Sequence, residues 1–146
     1  MPKQAQGAQL NKNPSLPEGD PKAGEELALL VAEAGLDKKA GRIEIIDVRG
    51  KVDYTDYVVV MSGRSDRQVA AIARGIEEDL KLKYGTRCSG VEGLPQGNWV
   101  LLDFGDVVVH IFHQDTRGFY DIEGLWLDAK RVEFEGQQAD DGFVFP

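Results

Sequence analysis

Of the 146 residues only one is a cysteine, Cys88, and two are histidines, His110 and His113. A lone thiol makes no internal disulfide, and no second Cys or nearby His completes a zinc spacing. With no base close to it in sequence, Cys88 reads as a small packing residue rather than a nucleophile. The chain also lacks any apolar run of about 18 residues, the length a spanning helix requires. Its opening, MPKQAQGAQLNKNPSLPEGD, has neither the apolar core of a signal peptide nor the arginines of an organellar transit sequence. A cytoplasmic setting is the expectation. Basic excess is missing too: 17 Lys and Arg stand against 25 Asp and Glu, a net charge of −8. That balance disfavours a direct grip on RNA or DNA, whose binders need a clustered basic face. It allows a basic protein partner.

What remains is ordinary globular composition, 42% hydrophobic and 29% charged, in a length that buries a real core as one domain. Residues 1–20 are mostly Gln, Asn, Pro, Gly and Lys, which do not repay the entropy of ordering. They are expected to form a flexible tail. Asp20-Pro21 then has the form of a helix cap followed by proline at the first helical position, with Glu25 and Glu26 near the positive end of the dipole. Leu27, Leu30, Val31 and Ala34 give a helical stripe that is predicted to run to Ala40 and stop at Gly41.

IEIIDV at 43–48 alternates as a strand. Tyr57 to Met61 is continuously apolar and reads as a strand covered on both faces. Ser65 and Gln68 are spaced as a capping box, and Val69, Ile72, Ala73, Ile76 and Leu80 follow at helical spacing up to a stop at Gly85. After a loop from Gly85 to Asn98, two apolar runs, 99–104 and 107–112, flank Gly105-Asp106, the pattern of a type II′ hairpin. Phe119, Ile122, Trp126 and Ala129 predict a last helix between Thr116 and Val132. The order α-β-β-α-β-β-α implies a single layered α/β domain, residues 21–135, with a mixed sheet flanked by helices. An acidic tail, residues 136–146, closes the chain.

The chemistry-bearing patterns each have a plainer reading. MSGRSDRQ at a strand-to-helix junction can receive an anion at backbone N–H groups, but it matches neither phosphate-loop motif, and a capped helix on a tight turn accounts for it. Asp103 and Asp106 can hold a magnesium ion only if both point to one place, and an aspartate in a two-residue turn needs no metal. His110 and His113, three apart on a strand, face opposite sides, so a shared metal is not expected, and the plainer reading of His110 is a ring hydrogen-bonded inside the layer. Trp99, Leu101 and Asp103 share one strand face, and Val100, Leu102 and Phe104 the other. An aromatic, an aliphatic and a carboxylate together fit a partner-binding face. They fit equally a Trp covered by the last helix with Asp103 at its edge, and the sequence leaves both open. Arg117, Tyr120 and Trp126 form either a second patch or part of the core, with core favoured for Tyr120, Leu125 and Trp126. Arg117 near a helix start calls for an answering carboxylate or a partner.

Several of these motifs recur together in one family. Asp56-Tyr57, the run Ser62 to Val69, Ala71-Ile72-Ala73 with Ile76-Glu77, Val91-Glu92-Gly93, the run Trp99 to His110, and Arg117 to Glu123 with Leu125-Trp126 resemble, in order, the motifs of the ribosomal silencing factor family, also called RsfS or iojap. The resemblance covers residues 22–132 and implies a nucleotidyltransferase-like fold that acts by binding. It further implies attachment to the large ribosomal subunit through its protein numbered fourteen, blocked joining with the small subunit, and lower translation when nutrients are scarce. No catalytic residue, cofactor or metal follows from it, and little direct RNA binding. Trp99, Leu101 and Asp103 become the expected partner face, and homodimers lie within what the family allows. The rival reading is a nucleotide- or metal-dependent transferase of the same fold. Yet the family's enzyme-like relatives carry Asp-x-Asp after the helix, where this chain has only Asp103 and Asp106 across a turn. A weaker alternative is an adaptor acting through the acidic tail.

Overall fold

The computed structural model describes residues 23–93 and 98–134. The expected tails at 1–20 and 136–146 and the Asp20-Pro21 cap lie outside the described residues. The first helix, α1 (Ala23–Asp37), places Glu25 and Glu26 in its first turn and buries Leu27, Val31 and Ala34. It stops short of Ala40. Lys39 adopts a left-handed backbone, φ 69°, while the N–H groups of Lys39 and Ala40 return to the Leu36 and Gly35 carbonyls, both at 2.9 Å. This is a helix-ending motif that turns the chain before Gly41 is reached. Gly41 therefore opens the first strand instead of ending the helix.

That strand, β1 (Gly41–Asp47), pairs antiparallel with β2 (Tyr57–Gly63). All seven residues of β2 are buried, as its unbroken apolar run requires of a central strand. Next, α2 (Asp66–Tyr84) begins where the capping residues place it: the Ser65 hydroxyl accepts the Gln68 N–H at 3.1 Å. The reciprocal bond is shifted by one residue, with Gln68 Oε1 accepting the Arg64 N–H at 2.6 Å. Val69, Ile72, Ala73, Ile76 and Leu80 are all buried, and Gly85 in left-handed conformation closes the helix.

The loop expected between Gly85 and Asn98 contains a short strand, β3 (Gly90–Glu92), antiparallel to β4 (Trp99–Asp103). Strand β4 pairs with β5 (Val107–His113), Trp99 opposite Phe112 and Asp103 opposite Val108. The two-residue turn has a positive φ, +89°, at Gly105 and not at Asp106. That is the backbone of the expected II′ turn, whose first position favours glycine.

The predicted helix over 116–132 is the largest departure. A short helix, α3 (Gln114–Tyr120), ends where Asp121 turns left-handed, φ 48°. A 3₁₀ turn (Ile122–Trp126) and a last strand, β6 (Lys130–Val132), follow. The helical spacing of the apolar residues is real, but Gly118 and Gly124 weaken the helix. Residues 130–132 gain more by pairing antiparallel with β1, Val132 opposite Ile45. The full sheet has the order β3-β4-β5-β2-β1-β6 and is mixed, with only β2 and β5 parallel.

One face of this sheet carries both long helices. Ile43, Val59, Met61, Val100, Leu102, Val109 and Ile111 meet Val31, Ile72, Ile76 and Leu80 in the main core. Helix α1 comes so close to β2 at Gly35 that an added Cβ would lie 2.6 Å from the Met61 sulfur. The second face holds a smaller cluster: Ile46, Val48, Val58, Val60 and Phe112 under Trp126 and Ala129. No helix among the described residues is long and apolar enough to cross a membrane.

Candidate partner-binding face

Strand alternation decides which side chains of β4 face outward. Val100 and Leu102 are fully buried beneath the helices, whereas Trp99, Leu101 and Asp103 are half-buried on the opposite face. Register adds their neighbours: Glu92 and His110 flank Leu101, and Gly90 and Val108 flank Asp103. Trp126, Ala129 and Ile122 cover the β1–β2 side of this face, and Trp99 packs at the margin of that cluster. The β3–β4 side is the more open half.

Trp99 is held rather than loosely displayed. Its indole N–H donates to His110 Nδ1 at 3.1 Å. Its ring lies 4.9 Å from Phe112 and 4.4 Å from Tyr120, centroid to centroid. Phe119 meets Tyr120 edge-on at 5.1 Å. His110 is only 8% exposed, and burial pushes its pKa down to about 4, against a small opposing pull from Glu123. The imidazole is therefore neutral near pH 7, and a Nδ1 that accepts leaves the proton on Nε2. An aromatic held on several sides loses little rotamer freedom on docking, which is the property of an anchor residue.

The remaining sequence-predicted residues fall into different surroundings. Asp103 Oδ1 accepts the Gly105 N–H at 2.8 Å and so caps the hairpin. The Asp106 carbonyl accepts the N–H groups of Asp56 and Tyr57, which binds the turn to the start of β2. Arg117 is 2% exposed. Its Nε donates to Glu123 Oε2 at 2.8 Å, and its Nη1 to the Ser62 hydroxyl at 2.8 Å and to the Arg42 carbonyl. Burial lowers its pKa and the Glu123 carboxylate raises it. Arg117 thus fastens α3 to the end of β2, and Glu123 is the carboxylate its position called for. Trp126 is buried. Tyr120 and Leu125, expected in the core, are 47% and 67% exposed, because the 3₁₀ turn rotates this segment away from a continuous helical face. The expected hydrogen-bonded ring of His110 is present, but Trp99 as its partner was not legible, nor was Phe119, 81% exposed beside Tyr120, as a site residue. The adjacent Phe119-Tyr120 pair was the available signal for the latter, since a helix cannot bury both neighbours on one narrow stripe.

At the start of α2 the Gln68 N–H is engaged by the Ser65 hydroxyl, and the Arg64 N–H just before the helix by the Gln68 side chain. Among the described residues no three His, Cys, Asp or Glu side chains gather as a metal site.

Fold and site together define a small α/β domain with one aromatic-centred, partly open sheet face. A family model described as "Ribosomal silencing factor during starvation" matches residues 21–143. The Ribosomal silencing factor RsfS of Halalkalibacterium halodurans is 40% identical over 112 residues, 77% of this chain and 95% of that protein. That of Bacillus subtilis is 41% identical over 106 residues, 73% and 89% of the two chains. The mouse protein named Mitochondrial assembly of ribosomal large subunit protein 1 is 32% identical over 116 residues, 73% of this chain and 50% of that one. A crystal structure of a Chromobacterium violaceum protein superposes with a TM-score of 0.68 at 37% identity, covering 76% of this chain and 91% of that one. The chain belongs to the ribosomal silencing factor family.

Proposed function

We propose that this protein silences translation by binding the large ribosomal subunit in the cytoplasm and occluding the surface that the small subunit needs. Its contact is the protein numbered fourteen of that subunit, and the contacting face is the open half of the sheet: Trp99, Leu101 and Asp103, with Tyr120 beside them. The role requires no catalysis, and the likeness to nucleotidyltransferases is taken as one of architecture. The observation that carries the reading is Trp99, fixed by His110, Phe112 and Tyr120 at the margin of the more open face, in a chain of this family. Its acidic balance suits a basic ribosomal protein, and Glu92 and Asp103 bracket Leu101 at the contact.

Co-sedimentation with isolated large subunits, small subunits and joined ribosomes tests the reading. The wild type is expected with large subunits only, and both Trp99→Ala and Asp103→Lys are expected to stay at the top of the gradient. A wild type absent from every ribosomal fraction refutes the proposal.

A further inference from the structure

We infer that Arg117 is a positioning residue for the partner-binding face: its buried guanidinium sets where Tyr120 meets Trp99. The inference rests on the ribosomal reading above, because the contact it serves is the one proposed there. Seven residues are too few to hold a helix by themselves, and α3 has no apolar stripe to dock it. Of its residues only Arg117 is buried, and Phe119 and Tyr120 are exposed. The start of the helix is fixed by the chain, since β5 runs directly into it and His113 Nδ1 accepts the Asp115 N–H at 3.1 Å. Toward its far end, which carries Tyr120, the buried fastening is Arg117.

Strand register shows what that fastening decides. Ser62, Phe112 and Trp99 stand in one row across β2, β5 and β4, so Ser62 and Trp99 are about 10 Å apart, two strand spacings. Helix α3 lies over this row. Arg117 donates to the Ser62 hydroxyl at one end, and three residues later the Tyr120 ring packs on Trp99 at the other, 4.4 Å between centroids. A rotation of α3 about its axis would carry Tyr120 off the Trp99 ring. Directional bonds from a planar guanidinium to three elements, Glu123 after the helix, Ser62 on β2 and the Arg42 carbonyl on β1, oppose that rotation.

The same group is poorly arranged for stability alone. Its Nη2 and Glu123 Oε1 are buried without a hydrogen-bond partner among the described residues, so the fork meets the carboxylate through one bond where two are available. Buried ion pairs are often replaced by apolar residues of similar volume with no loss of stability. The acceptor on β1 is also built at a cost. Arg42 has a left-handed backbone, φ 52°, where β1 slips register against β2 between Gly41 and Glu44. What the arrangement supplies is orientation, and Tyr120, half in solvent yet packed on Trp99, is what it orients. An aromatic pair set in advance gives up less freedom when a partner docks.

The paired substitution Arg117→Met/Glu123→Met tests this in a double-mutant cycle with Tyr120→Ala, read as affinity of the full chain for purified large subunits. The paired variant is expected to melt cooperatively near the wild-type temperature and yet to bind about fivefold more weakly. Tyr120→Ala is expected to weaken binding too, and adding the pair to it to cost nothing further. Wild-type affinity in either variant, or the pair's full factor lost again on top of Tyr120→Ala, overturns the inference. Should the pair fail to fold, Arg117→Lys, which keeps a charge for Glu123 but loses the fork, enters the same cycle under the same criteria. If the wild type itself binds no subunit, the ribosomal reading falls, and fluorine NMR of the full chain carrying fluorotryptophan decides the positioning alone. The Trp99 signal, assigned with Trp99→Phe, is expected to move in the paired variant to its place in Tyr120→Ala, because the ring current of Tyr120 is lost from it. A signal that keeps its wild-type place overturns the inference.

Discussion

Stability should fall on mild acidification through one side chain, His110. Its imidazole titrates near 6.5 in the unfolded chain and at about 4 in the fold, because burial beside Trp99 and Phe112 penalises the charged form. Above about pH 7 both states are neutral at this residue and it contributes no pH dependence. Between the two pKa values the unfolded chain binds the proton and the fold does not, so acid drives unfolding. Below about pH 4 both states are protonated and the loss levels off. The full gap corresponds to about 3 kcal/mol, of which about 2 kcal/mol is already lost between pH 7.5 and pH 5. His110→Gln keeps a neutral acceptor for the Trp99 indole and cannot charge. Urea unfolding of both proteins at stepped pH, followed by circular dichroism, isolates the effect, since the carboxylates common to both cancel in the difference. The wild type should lose about 2 kcal/mol relative to the variant by pH 5. A difference that stays flat from pH 7.5 to pH 5 would refute the buried neutral imidazole and, with it, the hydrogen bond that fixes Trp99.

Other substitutions probe other joints of the argument. Trp99→Ala should weaken large-subunit binding by about thirtyfold, equivalent to about 2 kcal/mol for a truncated anchor, and still unfold cooperatively; a molten variant would instead make Trp99 a core residue. Arg117→Met should cost about 3 to 5 kcal/mol, because it strands the Glu123 carboxylate in the interior. Adding Glu123→Met should recover most of that loss in a denaturant titration, and failure to recover would mean that the Ser62 and Arg42 bonds matter more than the ion pair. Ser65→Ala should cost about 1 kcal/mol through the lost Gln68 N–H acceptor, read as a lower melting temperature with subunit binding retained.

Legibility followed the range of the interactions involved. Helix α2 could be read to the residue because its signals are local: a Ser65 cap, an apolar stripe from Val69 to Leu80 and a Gly85 stop. The β4–β5 hairpin was equally local, and its alternation correctly put Trp99, Leu101 and Asp103 on one side. Strand β3 escaped because three residues in a glycine-rich loop carry no period, and only pairing with β4 makes them a strand. Strand β6 was mistaken for helix for the same reason in reverse: its partner β1 lies more than eighty residues away in sequence, beyond anything a local window weighs. The candidate site divides along the same line. Side-chain alternation gave the residues of β4, whereas the His110 acceptor, the Tyr120 ring and the buried Arg117 depend on contacts across elements.

Those cross-element contacts explain how one short segment does two jobs. Arg117 is anchored in the interior by Glu123, Ser62 and the Arg42 carbonyl, while three residues later Tyr120 lies on the Trp99 ring and remains half in solvent. The left-handed turn at Asp121 then reverses the chain so that Trp126 returns to cover the β1–β2 side of the sheet. A continuous helix over 116–132 would have laid its apolar stripe along the whole face and closed the β3–β4 half with it. Breaking that helix after seven residues leaves Leu101 and Asp103 at the surface, so the feature that defeated the local reading of the sequence is also the one that keeps the proposed binding face open.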